Sequence, residues 1–337
     1  MRAAIFDAES RRVSIETRSV PQPGPDDILV RVCRCGICGS DVSMTSDAPF
    51  SYGSGQFGHE YSGEVIEVGR NVASHRPGDK IATFPVAGCG DCETCRRGFP
   101  FFCPRRQSAS FGFGEYAVLP PRVAIRLPQS LSFADGALVE PMACGLHALN
   151  LARLEAGGRV LVLGAGSMAL SAVYWARRMG AGRIAALSRS EHRRDMVMTM
   201  GADAMTSFDP EERGRIVEAL GGPPDIVCEC VGKAGMVALA VDLVRPGGTV
   251  VSMGMCMQPE SLLPAQCVFK EVRLLFPLGY TTEEFAQTAR AFDAESLRPD
   301  AMVSDVIALE ALPARLQAMR SGGAGGGLKV QVDPARG

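Results

Sequence analysis

Four thiols stand within fifteen residues at Cys89, Cys92, Cys95 and Cys103. Four thiolates at this spacing suit a closed tetrahedral zinc, which stabilises a loop and does no chemistry, or an iron–sulfur cluster. The surrounding loop is basic, with Arg96, Arg97, Arg105 and Arg106, so unliganded thiols there would be oxidation liabilities. A second group comes earlier. Cys38 lies in Cys35-Gly36-Ile37-Cys38-Gly39-Ser40-Asp41, near Cys33, and twenty-one positions later stands Gly58-His59-Glu60. One thiolate, one imidazole and one carboxylate leave room for a fourth group, the open position a catalytic zinc needs. A neighbouring His and Glu taken alone are more often a structural or surface pair; beside the four-cysteine loop they read as ligands. Cys144, Cys228, Cys230, Cys256 and Cys267 are scattered among apolar residues and read as packing.

A third constellation is made of glycine. Gly164-Ala165-Gly166-Ser167-Met168-Ala169 follows an apolar run and opens a helical pattern. Glycines there permit a tight turn and let a pyrophosphate approach the helix N-terminus; alanine in the third place is an allowed variant. NAD-specific sites end the second strand in an acid that accepts from the ribose 2′-hydroxyl. This chain has Leu187-Ser188-Arg189-Ser190, with Arg193 and Arg194 a turn further on. A hydroxyl and a guanidinium would bind a 2′-phosphate that a carboxylate would repel, which predicts NADP over NAD. The alternative is that these arginines are solvated and Glu191 takes the acid's role.

These residues need elements to position them. The first third reads as short strands at 28–32, 61–68 and 80–84, punctuated by Pro21, Pro23, Pro25, Pro77 and Gly78. Ser132 is a helix-capping candidate with Asp135 three positions on, and a helical run is expected over 143–152. Strands at 159–163, 183–187, 225–228 and 249–253 alternate with helices at 167–179 and 191–200, the pattern of a parallel sheet covered on both faces. Helices over 283–294 and 311–319, a Gly-rich loop over 322–327 and a strand over 329–332 close the chain. An α/β organisation follows: a nucleotide-binding segment, 149–279, inserted into a mostly β domain built from 1–148 (with the cysteine lobe near 88–104) and 280–337.

The chain has 337 residues, 46% apolar and 21% charged, with 35 basic against 37 acidic residues. This is globular composition, with no basic excess for nucleic acid or an anionic membrane. The apolar stretch 160–176 is too short and too interrupted by glycine to span a bilayer, and Asp7 and Glu9 break any signal-peptide core. A cytoplasmic protein with reduced cysteines is expected.

The sequence resembles the zinc-dependent medium-chain dehydrogenase/reductase superfamily over essentially its whole length. Gly58-His59-Glu60, Gly63, Gly69 and Val72 fall at the spacing of that family's zinc signature, Arg76-Pro77-Gly78-Asp79 at its Gly-Asp turn, and Leu163-Gly164-Ala165-Gly166 at its cofactor loop. Val139-Glu140-Pro141, where a cysteine ligand would be expected in classical alcohol dehydrogenases, places it nearest the sorbitol, polyol and threonine dehydrogenase branch. The resemblance implies a Rossmann doubly wound domain inserted in a GroES-like catalytic domain. It implies two zinc ions per chain: a catalytic one held by Cys38, His59 and Glu60, and a structural one held by Cys89, Cys92, Cys95 and Cys103. Glu140 would be a fourth ligand or hold the zinc's water; otherwise it is a helix N-terminal carboxylate beside Pro141. Val231, Met253 and Gly254 complete the cofactor set.

The implied reaction is hydride transfer between a secondary alcohol or polyol (a ketone in reverse) and the nicotinamide, with zinc as Lewis acid. Ser40 would be the first proton relay. Many relatives carry a His after the next Asp, whereas this chain has Asp41-Val42-Ser43-Met44, so the onward path differs. Phe50, Tyr52, Phe57 and the 276–280 segment either line a substrate cleft or serve as core, and no arginine clamp marks a phosphorylated substrate. Zinc-free enone or quinone reductases of the same fold lack both metal constellations, and a non-catalytic relative would have lost a ligand or the glycine turn. A homodimer or homotetramer is expected, with a strand edge near Leu274 and Leu275.

Overall fold

The computed structural model describes residues 1–46, 50–189, 191–208, 213–294, 299–321 and 328–336. The expected Gly-rich loop at 322–327 lies outside them. The first segment carries β1 (Arg2–Asp7), β2 (Arg12–Thr17), β3 (Ile28–Gly36), α1 (Gly39–Met44), β4 (Gly55–Gln56), β5 (Glu60–Val68), β6 (Lys80–Thr83), β7 (Val86–Ala87), α2 (Glu93–Arg96), β8 (Gln107–Ser108), β9 (Tyr116–Leu119), β10 (Ala124–Arg126) and α3 (Phe133–Ala152). The central segment carries β11 (Arg159–Leu163), α4 (Ser167–Arg178), β12 (Arg183–Leu187), α5 (Arg194–Thr199), β13 (Ala204–Thr206), α6 (Arg213–Leu220), β14 (Ile226–Glu229), α7 (Met236–Leu243), β15 (Thr249–Ser252), α8 (Pro264–Lys270) and β16 (Arg273–Leu275). The last carries α9 (Thr282–Ala294), β17 (Val303–Ala308), α10 (Leu312–Arg320) and β18 (Lys329–Asp333).

The chain divides into two compact units, one of Met1–Glu140 with Thr281–Gly337 and one of Pro141–Tyr280. The first unit is built on a sheet ordered β10-β6-β5-β3-β18-β17, with β9 also pairing β3. β3 and β5 run antiparallel, bringing Gly36 opposite Glu60, and β18 joins on the other side with Gln331 opposite Gly36. Strand β3 is longer than its apolar run 28–32 suggests, because Cys35 and Gly36 continue the ladder toward the site.

In the second unit every strand pairing is parallel, in the order β13-β12-β11-β14-β15-β16. Residues 160–163 are all fully buried, as expected of a parallel strand covered on both faces. Leu161, Leu163, Val227 and Val250 pack with Ile216 and Leu220 of α6 and with Ala240 and Val241 of α7. α4 packs on β11, β12 and β14, where Val160 and Val162 point the other way. Each such side chain contributes about 1.5–3 kcal/mol of burial.

Two helices depart from expectation. The run expected at 143–152 begins at Phe133, because Ser132 and Asp135 cap one another: the Asp135 carboxylate accepts the Ser132 N–H at 2.8 Å and the Ser132 hydroxyl accepts the Asp135 N–H at 3.1 Å. The helix continues through Pro141, which has no N–H to give the Ala137 carbonyl, because Leu138, Val139, Met142 and Ala143 are fully buried. Glu140 is therefore mid-helix, and its reading as a helix N-terminal carboxylate does not hold. The helix expected over 191–200 opens as a single 3-10 turn, Glu191–Arg193, and continues as α5 to Thr199. No helix of the described residues is long and apolar enough to cross a membrane.

Candidate active site and cofactor site

The first unit brings Cys38, His59 and Glu60 together: their ligating atoms all lie within 4.8 Å of one another. The topology explains it. Cys38 follows the end of β3, His59 immediately precedes β5, and the antiparallel pairing of those strands sets them side by side. Gly58 adopts φ 97°, and a Cβ there would fall 2.6 Å from the Phe113 ring, so only glycine fits before the histidine.

Asp41 locks this corner. It is fully buried; its Oδ2 accepts the Cys38 N–H at 2.9 Å, and its Oδ1 accepts the Tyr52 hydroxyl at 3.0 Å and lies 3.3 Å from His59 Nδ1. An Asp41–Nδ1 hydrogen bond puts the proton on Nδ1 and leaves Nε2 with the lone pair a metal requires. Burial pulls the His59 ring down, but the charges of Asp41 and Cys38 outweigh it and hold the metal-free imidazole well above its usual range. Burial, and then the Asp41 charge, keep the Tyr52 phenol protonated, so it acts as a donor.

Glu60 has a partner from the far end of the chain. Lys329 Nζ donates to both of its carboxylate oxygens at 2.7 Å, and also lies 3.3 Å from the Ile37 carbonyl. The two side chains are 3% and 1% exposed. They meet over Gly36, where a Cβ would sit 2.1 Å from Glu60 Oε2. Burial pulls the Lys329 ammonium down, but Glu60 and then Cys38 outweigh it and raise it. Glu140 is buried and its charge is felt by Lys329, yet it is outside the group of three mutually close ligating atoms. The Ser40 hydroxyl, half-buried on α1, has no hydrogen-bond partner among the described residues. Phe57 belongs to an aromatic cluster with Phe6, Tyr52 and Phe113, whereas Phe50 is exposed.

The four cysteines of the lobe also come within 4.8 Å of one another, with Cys89 and Cys95 Sγ 3.9 Å apart. A tetrahedron with zinc–sulfur bonds of about 2.3 Å has edges of about 3.8 Å. This geometry fits one ion rather than a multi-iron cluster. The Cys89 N–H faces Cys103 Sγ at 3.4 Å, and Arg105 donates to Cys89 Sγ at 3.1 Å while pairing with Asp91. A hydrogen bond with the Thr94 hydroxyl, more than any other influence, pulls the Cys92 thiol down to about 6, ready to ligate as thiolate.

In the second unit, Gly164 adopts φ 114° and its N–H closes onto the Leu187 carbonyl at 2.7 Å. Gly166 caps α4, and a Cβ there would meet nothing within 4 Å. That open space before the N-terminus of a three-turn helix fits a pyrophosphate. Ser167 and Met168 are half-buried on its first turn. Ser188 is half-buried just past β12; Arg189 is exposed and makes no ion pair among the described residues. Glu191 is exposed and paired with Arg194 at 2.7 Å. Arg193 donates to the Ala165 carbonyl at 3.1 Å, so it braces the glycine turn. Val231, Met253 and Gly254 lie in the turns after β14 and β15, both fastened to Glu229.

Asp41, Lys329 and Glu229 were not singled out as site residues by sequence reasoning, and Tyr52 was read only as a cleft or core residue, not as a partner of Asp41. Asp41, within a turn of Cys38, carried a usable signal; the others become partners only through folding.

Comparison with known proteins agrees with this geometry. A family model described as zinc-binding dehydrogenase matches residues 164–294, and one described as alcohol dehydrogenase GroES-like domain matches residues 24–129. Sorbitol dehydrogenase from Ovis aries is 30% identical over 339 residues, covering 95% of this chain and 94% of its own. Sorbitol dehydrogenase from Bombyx mori is 32% identical over 279 residues, 77% of this chain and 79% of its own. A protein from Sinorhizobium meliloti 1021, assigned as a zinc-binding dehydrogenase and solved bound to NADP, superposes with a TM-score of 0.85 at 31% identity, covering 99% of each chain.

Proposed function

We propose a specific reaction for a chain that belongs to the zinc-dependent medium-chain dehydrogenase/reductase superfamily, in its sorbitol and polyol dehydrogenase branch: hydride transfer between a secondary alcohol or polyol and NADP, with two zinc ions per chain. The class, an NAD(P)-dependent alcohol or polyol oxidoreductase, follows from membership; the cofactor preference, the zinc count and the site roles are our reading. The observation that carries it is the Cys38, His59 and Glu60 group, three donors of mixed type with no fourth protein donor as close among the described residues.

Zinc bound there supplies Lewis acidity toward the substrate oxygen. The chain does the rest. Asp41 fixes the His59 tautomer and, through the Cys38 N–H, the position of the thiolate. Lys329 offsets the buried charge of Glu60. Ser40 would relay the substrate's proton, receiving it as its own hydroxyl proton passes to water, and Glu140 adds a buried carboxylate to the site's outer ring. In the cofactor unit, Gly164, Gly166, Ser167 and Met168 receive the pyrophosphate, Ser188 and Arg189 the 2′-phosphate, with Arg193 bracing the turn. Val231, Met253 and Gly254 receive the nicotinamide end. Support for NADP over NAD is the hydroxyl at 188, Arg189 with no ion pair among the described residues, and the commitment of Glu191 to Arg194.

A homodimer through the edge of the parallel sheet completes the reading. Strand β16 is that edge, and Val268, Phe269, Phe276 and Leu278 beside it are all more than half exposed. An apolar patch of this kind suits a second copy of the chain.

The test is zinc per chain by mass spectrometry, with NADPH and NADH titrations by fluorescence and a panel of secondary alcohols, polyols and ketones. Two zincs, tighter NADPH and turnover of a secondary alcohol are expected. One zinc without turnover would return the reading to a zinc-free reductase or a non-catalytic binder. Ser188→Asp should shift preference toward NADH by about tenfold or more, since it sets a carboxylate against a phosphate. Tighter NADH binding by the unaltered protein would overturn the role given to Ser188 and Arg189.

A further inference from the structure

We propose that Glu229 is the positioning residue of the nicotinamide half of the cofactor site: its buried carboxylate holds the turn after β14 while its main-chain carbonyl holds the turn after β15. The inference rests on the nucleotide-binding reading above and adds to it a residue that the glycine fingerprint does not include.

Glu229 ends β14 and is 1% exposed. Its Oε1 accepts the N–H groups of Val231 at 2.6 Å and Gly232 at 2.8 Å, and Ser252 Oγ lies 3.4 Å from Oε2. Its main-chain carbonyl accepts the N–H groups of Met253 at 2.7 Å and Gly254 at 2.9 Å. One residue thus takes four main-chain donors from two turns and lies beside the hydroxyl that ends β15, and it forms no ion pair among the described residues. The turns it joins touch. Gly232 adopts φ 67°, and a Cβ on Gly254 would fall 2.2 Å from the Gly232 nitrogen and 2.9 Å from Glu229 Oε2. Both glycines are required by that approach. A Cβ on Gly164 would meet Val231 Cγ2 at 3.4 Å, so the clasped pair also abuts the first glycine turn.

The place in the sheet gives the clasp its purpose. From β11 the chain runs outward through β12 and β13, then returns to β14 on the other side. The reversal point between β11 and β14, at the carboxyl ends of the strands, is where open α/β sheets bind their ligands. Glu229 stands at that point. One oxygen of this carboxylate is committed to two main-chain donors of the β14 turn, so it fixes backbone there. Its role is to hold Val231 and Gly232 still for an incoming ring, and with them the turn against which Gly254 packs.

The experiment compares two probes: NADPH, and 2′-phospho-ADP-ribose, which keeps the adenosine half and lacks the nicotinamide. Glu229→Ala should weaken NADPH by about tenfold or more, since two charge-assisted bonds are lost, while the ribose fragment stays within about twofold. Glu229→Gln keeps an acceptor oxygen for both N–H groups and should recover most of the loss. Glu229→Asp withdraws the carboxylate by one methylene and should show the same split, smaller in size; it carries the test if the alanine variant does not fold. Parallel losses for both probes, or no loss for NADPH, overturn the proposal. If the unaltered protein binds neither NADPH nor NADH, the nucleotide reading itself falls, which is a separate outcome.

Discussion

Replacing Lys329 with methionine tests the wiring beneath the metal site. The ammonium makes two 2.7 Å bonds to Glu60, and neither side chain is more than 3% exposed. Methionine keeps the length and removes the charge, so Glu60 is left buried without its cation. Breaking a buried pair this way costs about 3–5 kcal/mol. For a unit of this size each kcal/mol moves the melting temperature by roughly 2–4 °C, so a fall on the order of 10 °C is expected by calorimetry on metal-free protein. Zinc should shrink the deficit, because a divalent cation beside Glu60 replaces part of the lost charge. A second arm adds Glu60→Gln: with both charges gone, the double variant should be more stable than the sum of the singles by at least about 2 kcal/mol. The pH dependence has a defined sign. The ammonium is raised in the fold, by Glu60 against the pull of burial. Its contribution is complete below about pH 10.4, the unfolded value, and lost as pH rises through the folded one. A single variant within about 0.5 kcal/mol of the parent, or strict additivity in the double, would refute the reasoning.

Three further outcomes are expected. Cys103→Ser should lower zinc by one ion per chain and leave the other in place, read by mass spectrometry after gel filtration; loss of both would contradict the independence of the two sites. Burial alone would raise the Asp225 carboxyl, but Arg159 and Arg245 more than reverse this and hold it well below the usual range. Since all three groups are partly exposed, Asp225→Asn should cost only about 1 kcal/mol at neutral pH, and the difference should fade as pH falls below about 4, where the unfolded carboxyl takes up its proton; a deficit that persists in acid would count against the ion pairs. Phe269→Glu, at a side chain 86% exposed beside the sheet edge, should give a monomer by light scattering, and a dimer that survives it would place the interface elsewhere.

What was legible in the sequence was local. Residues 159–163 and 183–187 are the observed strands β11 and β12, because a short apolar run between glycines and a helical pattern has few other solutions in a βαβ unit. The four cysteines declared themselves by spacing alone. The glycine turn was readable for the same reason: all its parts lie within six residues. The errors and omissions were tertiary. Pro141 argued for a helix start, yet the Ser132–Asp135 cap and a buried face carry the helix through it. Lys329 read as the first residue of a closing strand, and nothing in its neighbours tells that β18 pairs β3 and lifts its ammonium onto Glu60. Glu229 sits in an apolar run ending Cys228-Glu229-Cys230, where a carboxylate reads as a strand terminus until two turns are seen folding onto it.

The pairing of β18 with β3 also sets an order of biosynthesis. Glu60 and Lys329 are separated by 269 residues. At about 5–20 residues per second of translation, the carboxylate exists for on the order of half a minute before its cation is made. In that interval the whole Pro141–Tyr280 unit emerges as one contiguous stretch, with every strand of its parallel sheet in hand, while the first unit still lacks β17 and β18. Closing the metal corner early would bury an unpaired charge, which is unfavourable. The nascent chain therefore has a thermodynamic reason to complete its cofactor unit first and to keep Glu60 in water until the last strand arrives.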